Sequence, residues 1–135
     1  MTEKNTKNCS DMPRILAVDF DGTIVTDEFP NIGKPNVGII EQLKQLKSSG
    51  VKLILWTCRT NNNSGECYLD NAVNWCEKQG LIFDAVNDNI QEIKDFYGQN
   101  PRKIFADLYL DDRSVDIGFF NLFGGSVLPV NEMEE

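Results

Sequence analysis

No histidine occurs in the 135 residues. Imidazole is a common zinc ligand, and the four cysteines (Cys9, Cys58, Cys67 and Cys76) show no CxxC spacing, so the usual zinc sites are excluded. Reduced thiols, buried or free, are the expectation instead. Long apolar runs are missing too. No stretch is long enough to cross a bilayer, and the opening MTEKNTKNCSDM has no apolar block of the signal-peptide kind. These absences predict a cytoplasmic protein with no membrane partner and a loose tail over residues 1–12. Basic residues are outnumbered, 13 Lys and Arg against 21 Asp and Glu, for a net charge of -8. Nucleic-acid phosphates are held by a basic footprint that this balance does not supply, so any anionic substrate needs a local cation. No internal repeat or linker breaks the chain. Its length and 41% apolar content suit one domain, placed at residues 13–130, followed by the acidic tail NEMEE at residues 131–135.

What is there alternates. RILAVD (Arg14 to Asp19) and VKLILWT (Val51 to Thr57) are short apolar runs bounded by polar residues, as buried strands are. Between them Val37, Ile40, Leu43 and Leu46 recur at helical spacing, with Pro35 suited to the first turn and Gly50 to the C-terminal cap. A polar loop, NNNSGE, precedes a second helix carrying Leu69, Ala72, Val73 and Cys76 before Gly80. LIFDAV (Leu81 to Val86) is a brief third strand, Ile90 to Tyr97 a helix, and KIFADLYL (Lys103 to Leu110) the fourth strand. SVLPV (Ser126 to Val130) fits a fifth, edge strand that tolerates Pro129. Alternating strands and helices predict an α/β fold: a doubly wound, mostly parallel Rossmann-like sheet. Such sheets bind ligands at the carboxyl ends of their strands. Asp19 and Asp21, Thr57 and Arg59, and Asp111 and Asp112 all fall there.

Two acids closing a buried strand repel each other and are costly to desolvate unless something positive sits among them. A divalent metal supplies that charge, and oxygen ligands without histidine or paired cysteine suit magnesium. An EF-hand calcium loop starting at Asp19 would need glycine at Ile24 and glutamate at Pro30, which excludes it.

DFDGT at Asp19 to Thr23, the strand-terminal Thr57, Lys103, and the pair Asp111 and Asp112 occur in an order that resembles the four motifs of the haloacid dehalogenase (HAD) superfamily. The resemblance runs from about Arg14 to about Val127, and KIFADLYLDDR is similar to small capless phosphatases of that superfamily. It implies a magnesium-dependent phosphohydrolase. Asp19 would be the nucleophile that forms an aspartyl phosphate, and Asp21 the general acid and base. Thr57 and Lys103 would hold the phosphoryl oxygens, with Lys94 as the fallback for the lysine. Asp19, Asp21 (through its carbonyl, freed by the turn at Gly22), Asp111 and Asp112 would bind Mg2+. Gly22, Thr23, Cys58, Arg59, Asn87 and Arg113 are the candidate substrate contacts.

Each assignment has an ordinary competitor. Asp111 and Asp112 also suit a helix N-cap, and Thr57 a β-branched strand position. Lys103 also reads as a surface lysine. Arg59 and Arg113 either grip a substrate phosphate or pair with local carboxylates. Asn87 and Asp88 also have turn composition. FFNLF (Phe119 to Phe123) is core packing or a homo-oligomer patch. The short flap TDEFPNIG leaves no room for a cap domain, so the site is expected to be open. A polynucleotide end, a phosphoaspartate receiver and a phospho-ligand binding module are the alternatives. Receivers, however, place the acidic pair after the first strand and the accepting Asp after the third, whereas here the acidic pair follows the fourth.

Overall fold

The computed structural model describes residues 12–114. The predicted strand at Ser126–Val130, the Phe119–Phe123 cluster and both tails apart from Met12 lie outside the described residues. In chain order the elements are β1 (Ile15–Val18), α1 (Val37–Ser48), β2 (Lys52–Leu55), α2 (Tyr68–Lys78), β3 (Ala85–Val86), α3 (Gln91–Tyr97) and β4 (Leu108–Leu110). The strands form one sheet in the order β3-β2-β1-β4, and every pair is parallel. The order reverses at β1, which pairs on one side with β2 (Val18 beside Leu55) and on the other with β4 (Val18 beside Leu110).

Strand alternation sends side chains to two faces. Val18, Leu53 and Leu55 pack with Ile40 and Leu43 of α1 and Ala72 and Cys76 of α2. Ile15, Ala17 and Ile54 pack on the opposite face with Ile93 of α3 and with Ile104. The fold is therefore an α/β, doubly wound Rossmann-like sheet with a core layer on each side. Each fully buried aliphatic side chain in these layers contributes about 1.5–3 kcal/mol. Among the described residues no second domain interrupts it, and no helix is long and apolar enough to cross a membrane.

Several boundaries differ from the sequence expectation. The first two strands are shorter at both ends. Pro35 precedes the first helix rather than entering it: Asn36 is the N-cap, its Oδ1 accepting from Ile39 N at 3.3 Å. Ile40 and Leu43 are buried, but Val37 and Leu46 are exposed, so the apolar stripe of α1 touches the sheet only over its middle turns. Gly50 does follow the helix in the left-handed region, at φ +104.

The third strand is only two residues, and the fourth is Leu108–Leu110 rather than Lys103–Leu110. In both cases an aspartate ends the loop. Asp84 Oδ2 accepts from Leu53 N at 2.8 Å, and Asp107 Oδ2 accepts from Ile15 N at 2.7 Å. Residues 103–107 are held instead by side chains, with Asn89 Oδ1 accepting from Phe105 N and Tyr109 Oη donating to Ile104 O.

Candidate active site

Because β1 and β4 are neighbours, the residues that follow them emerge together, and Asp19 N donates to Leu110 O at 2.9 Å. Carboxylate oxygens of Asp19, Asp111 and Asp112 lie within 4.8 Å of one another. Burial, then the charge of Asp111, raises the pKa of Asp19 from 3.8 to about 6; Asp112 adds to the rise, while a backbone hydrogen bond at Phe20 opposes it. Thr23, itself buried, donates from Oγ1 to Asp19 Oδ2 at 3.4 Å.

The turn after β1 shapes this cluster. Three successive amides, of Thr23, Ile24 and Val25, point at the carbonyl of Phe20, and the reversal passes through Gly22 at φ +90. A Cβ on Gly22 would stand 2.2 Å from Asp112 Oδ2. The glycine therefore gives the backbone its left-handed turn and leaves room for a carboxylate against it. Three oxygen donors on convergent strand ends fit a hard divalent cation.

Asp21 is engaged differently. Arg59 Nε donates to its Oδ2 and Nη2 to its Oδ1, both at 2.8 Å. The guanidinium is 2% exposed and lies 5.0 Å from the ring centroids of both Phe20 and Phe29. Its other contacts are carbonyls, those of Asn31 at 2.9 Å, Pro30 at 3.3 Å and Tyr68 at 3.4 Å. Of the two uses that the sequence left open for Arg59, pairing with a local carboxylate is the one observed. Arg113 also pairs with an acid, Asp27, at 3.6 Å, but is 80% exposed.

Asp19, Asp21, Asp111, Asp112, Thr57, Cys58, Arg59 and Arg113 share one cleft of about 370 Å³. Gly22 and Thr23, expected as substrate contacts, do not line it; they border a separate cavity beside Lys34 and Asn36 and abut the cleft residues Asp112 and Asp19. Asn87 does not line the cleft either. This residue adopts φ 53, and its Oδ1 accepts from Thr57 N at 2.8 Å, so it braces the threonine. The two lysines stand apart. Lys103 lines a neighbouring cavity of about 600 Å³ that shares Asp111 with the cleft, and its Nζ lies 6.0 Å from the Tyr109 ring. Lys94 donates to Asp88 at 2.8 Å, which with Asn100 holds the Asp88 carboxyl below its usual range.

Asp27 and Phe29 also wall the cleft, and the sequence reading passed over both. The available signal was a lone aromatic in an otherwise polar flap beside the acidic motif.

A solved structure of a conserved protein from Bacteroides thetaiotaomicron is similar to this chain, with 39% identity over 77% of this chain and 79% of that one, and a TM-score of 0.65. The chain belongs to the same family as that protein. It matches no protein-family model. No curated protein matches it either.

Proposed function

We propose that the protein is a magnesium-dependent phosphohydrolase of the haloacid dehalogenase type, acting through an aspartyl phosphate on Asp19. The observation that carries this is the convergence of Asp19 with Asp111 and Asp112, residues 92 and 93 positions apart from it in sequence, at one end of a parallel sheet. Asp19, Asp111 and Asp112 would hold the cation, which when bound neutralises charge around a phosphoryl group. Asp19 Oδ bonds to phosphorus as the ester P–O bond breaks, and Asp21 gives a proton to the leaving oxygen. Water then attacks phosphorus, its proton passes to Asp21, and inorganic phosphate leaves with the Asp19 carboxylate restored. The Arg59 fork fixes the orientation of the Asp21 carboxyl and leaves a lone pair on each oxygen for the proton, which Asp21 gives up as the acid in the first step and regains from water in the second. Thr57, which lines the cleft with its amide braced by Asn87, would hold a phosphoryl oxygen.

A polynucleotide end is disfavoured by the net charge of -8 and by the acid-rich cleft. We assign the protein to the cytoplasm, in keeping with free, exposed thiols at Cys58 and Cys67. Hydrolysis of p-nitrophenyl phosphate with and without Mg2+ tests the activity. Turnover should need the metal and vanish in Asp19→Asn, with a large loss in Asp21→Asn. Wild-type rates in Asp19→Asn would remove the covalent route.

A further inference from the structure

We infer that the phosphoester accepted by this cleft carries an uncharged aromatic group next to its phosphate, packed against the exposed half of the Phe29 ring. This rests on the phosphatase reading and names its substrate class.

Charge excludes part of the field. The cleft wall carries five carboxylates, Asp19, Asp21, Asp27, Asp111 and Asp112, against two guanidiniums. Neither guanidinium is idle, since Arg59 is committed to Asp21 and to three carbonyls and Arg113 pairs with Asp27. A dication among the acids would be matched by the phosphate dianion itself. A second anionic group on the substrate would then face mainly acids, the exposed Arg113 guanidinium being the one cation of the wall outside the buried clamp, and close, partly buried charges do not escape repulsion by screening.

Phe29 supplies the positive preference. It is 51% exposed and lines the cleft, so its apolar surface is open to whatever the cleft holds. It is also held in place. Tyr68 packs edge-on at 5.1 Å, and the Arg59 guanidinium lies 5.0 Å from its centroid. The flap around it is tied at its base by Thr26 N donating to Lys34 O at 2.9 Å and Lys34 N donating to Thr26 Oγ1 at 2.7 Å. Its tip is tied by Arg59 donating to the carbonyls of Pro30 and Asn31. A fixed, half-bare ring beside a phosphoryl site offers a stacking surface with little ordering cost.

Calorimetric titration of the full chain in Mg2+ with three non-hydrolysable phosphonates tests this: benzylphosphonate, methylphosphonate and phosphonoacetate. Benzylphosphonate should bind about 2- to 12-fold more tightly than methylphosphonate, the range of one aromatic pair. Phosphonoacetate should bind no better than methylphosphonate. Phe29→Ala should shrink the benzyl preference and Phe29→Tyr should keep it. Equal binding of the benzyl and methyl compounds, tightest binding of phosphonoacetate, or a benzyl preference untouched by Phe29→Ala would each overturn the inference while leaving phosphatase activity intact. Failure of all three to bind would overturn the phosphate site and the inference together.

Discussion

Arg59 and Asp21 form a two-pronged ion pair, Nε to Oδ2 and Nη2 to Oδ1, each at 2.8 Å, with the guanidinium almost wholly out of water. The pair ties the acidic motif and the flap that follows it to the start of α2, with Arg59 itself 38 residues beyond Asp21. Breaking one side of a buried pair leaves the other charge unmatched, at about 3–5 kcal/mol. Arg59→Met should therefore lower unfolding free energy by about 3 kcal/mol, read from urea denaturation, and Arg59→Lys by less. A loss under 0.5 kcal/mol, within what a surface substitution costs, would contradict the clamp.

Gly22 and Asp112 are a second such relationship. Gly22→Ala must place a Cβ where Asp112 Oδ2 now stands, 2.2 Å away, from a backbone at φ +90. The variant should lose about 1 kcal/mol or more of stability. It should also lose Mg2+ affinity by at least tenfold, because Asp112 is pushed out of the cluster. Calorimetry with MgCl2 reads the second effect, and unchanged affinity would count against Asp112 as a ligand.

Asp19 supplies a test in pH. Its carboxyl is raised from 3.8 to about 6 in the fold, by burial first and then by Asp111. A carboxyl raised on folding holds its proton more tightly in the native state. Its contribution to stability is complete below the unfolded value and fades as pH rises through the folded one. Asp19→Asn removes that titration. Without metal, the stability of Asp19→Asn relative to wild type should grow between about pH 4 and pH 6 and then level off. At neutral pH the gain should be about 1 kcal/mol, or about 3–5 °C in Tm, less than the full shift would give because the carboxyl is partly exposed and screened by water. Saturating Mg2+ should reverse the order, since a ligand at a hundred times its Kd adds about 2.7 kcal/mol to wild type alone. Parallel pH curves for the two proteins would refute the strained cluster.

The cysteines differ in reactivity for structural reasons. Burial, then the charge of Glu77, pushes the Cys76 thiol up to about 12, so it stays protonated inside the core. Cys58 and Cys67 are exposed, and Cys58 lines the cleft. Mass mapping after brief iodoacetamide treatment should find both modified and Cys76 intact until the protein unfolds. Benzylphosphonate with Mg2+ should slow modification of Cys58 and not of Cys67. Equal protection of the two would point away from this cleft.

Much of this architecture was legible because periodicity and motif agree. Ile15, Ala17 and Val18 form a continuous apolar run because β1 is covered on both faces, and the acids that end it lie where the strand order reverses. Other features were hidden because they depend on partners far along the chain. Asp84 and Asp107 look like loop acids, yet each ends a strand approach by accepting an amide proton from the neighbouring strand. The run KIFADLYL reads as one strand, but Asn89 and Tyr109 hold its first half outside the sheet. Arg59 could have met a phosphate or a carboxylate, and only the fold, which buries its guanidinium against Asp21, decides between them.

The central claim is that Asp19 takes the phosphoryl group. Mixing the protein with p-nitrophenyl phosphate and Mg2+, quenching in acid within one turnover and mapping the peptides by mass spectrometry measures this directly. A phosphoryl adduct is expected on the peptide carrying Asp19, absent without Mg2+ and absent in Asp19→Asn. Release of p-nitrophenol with no adduct on that peptide, at a rate that Asp19→Asn does not alter, would contradict it.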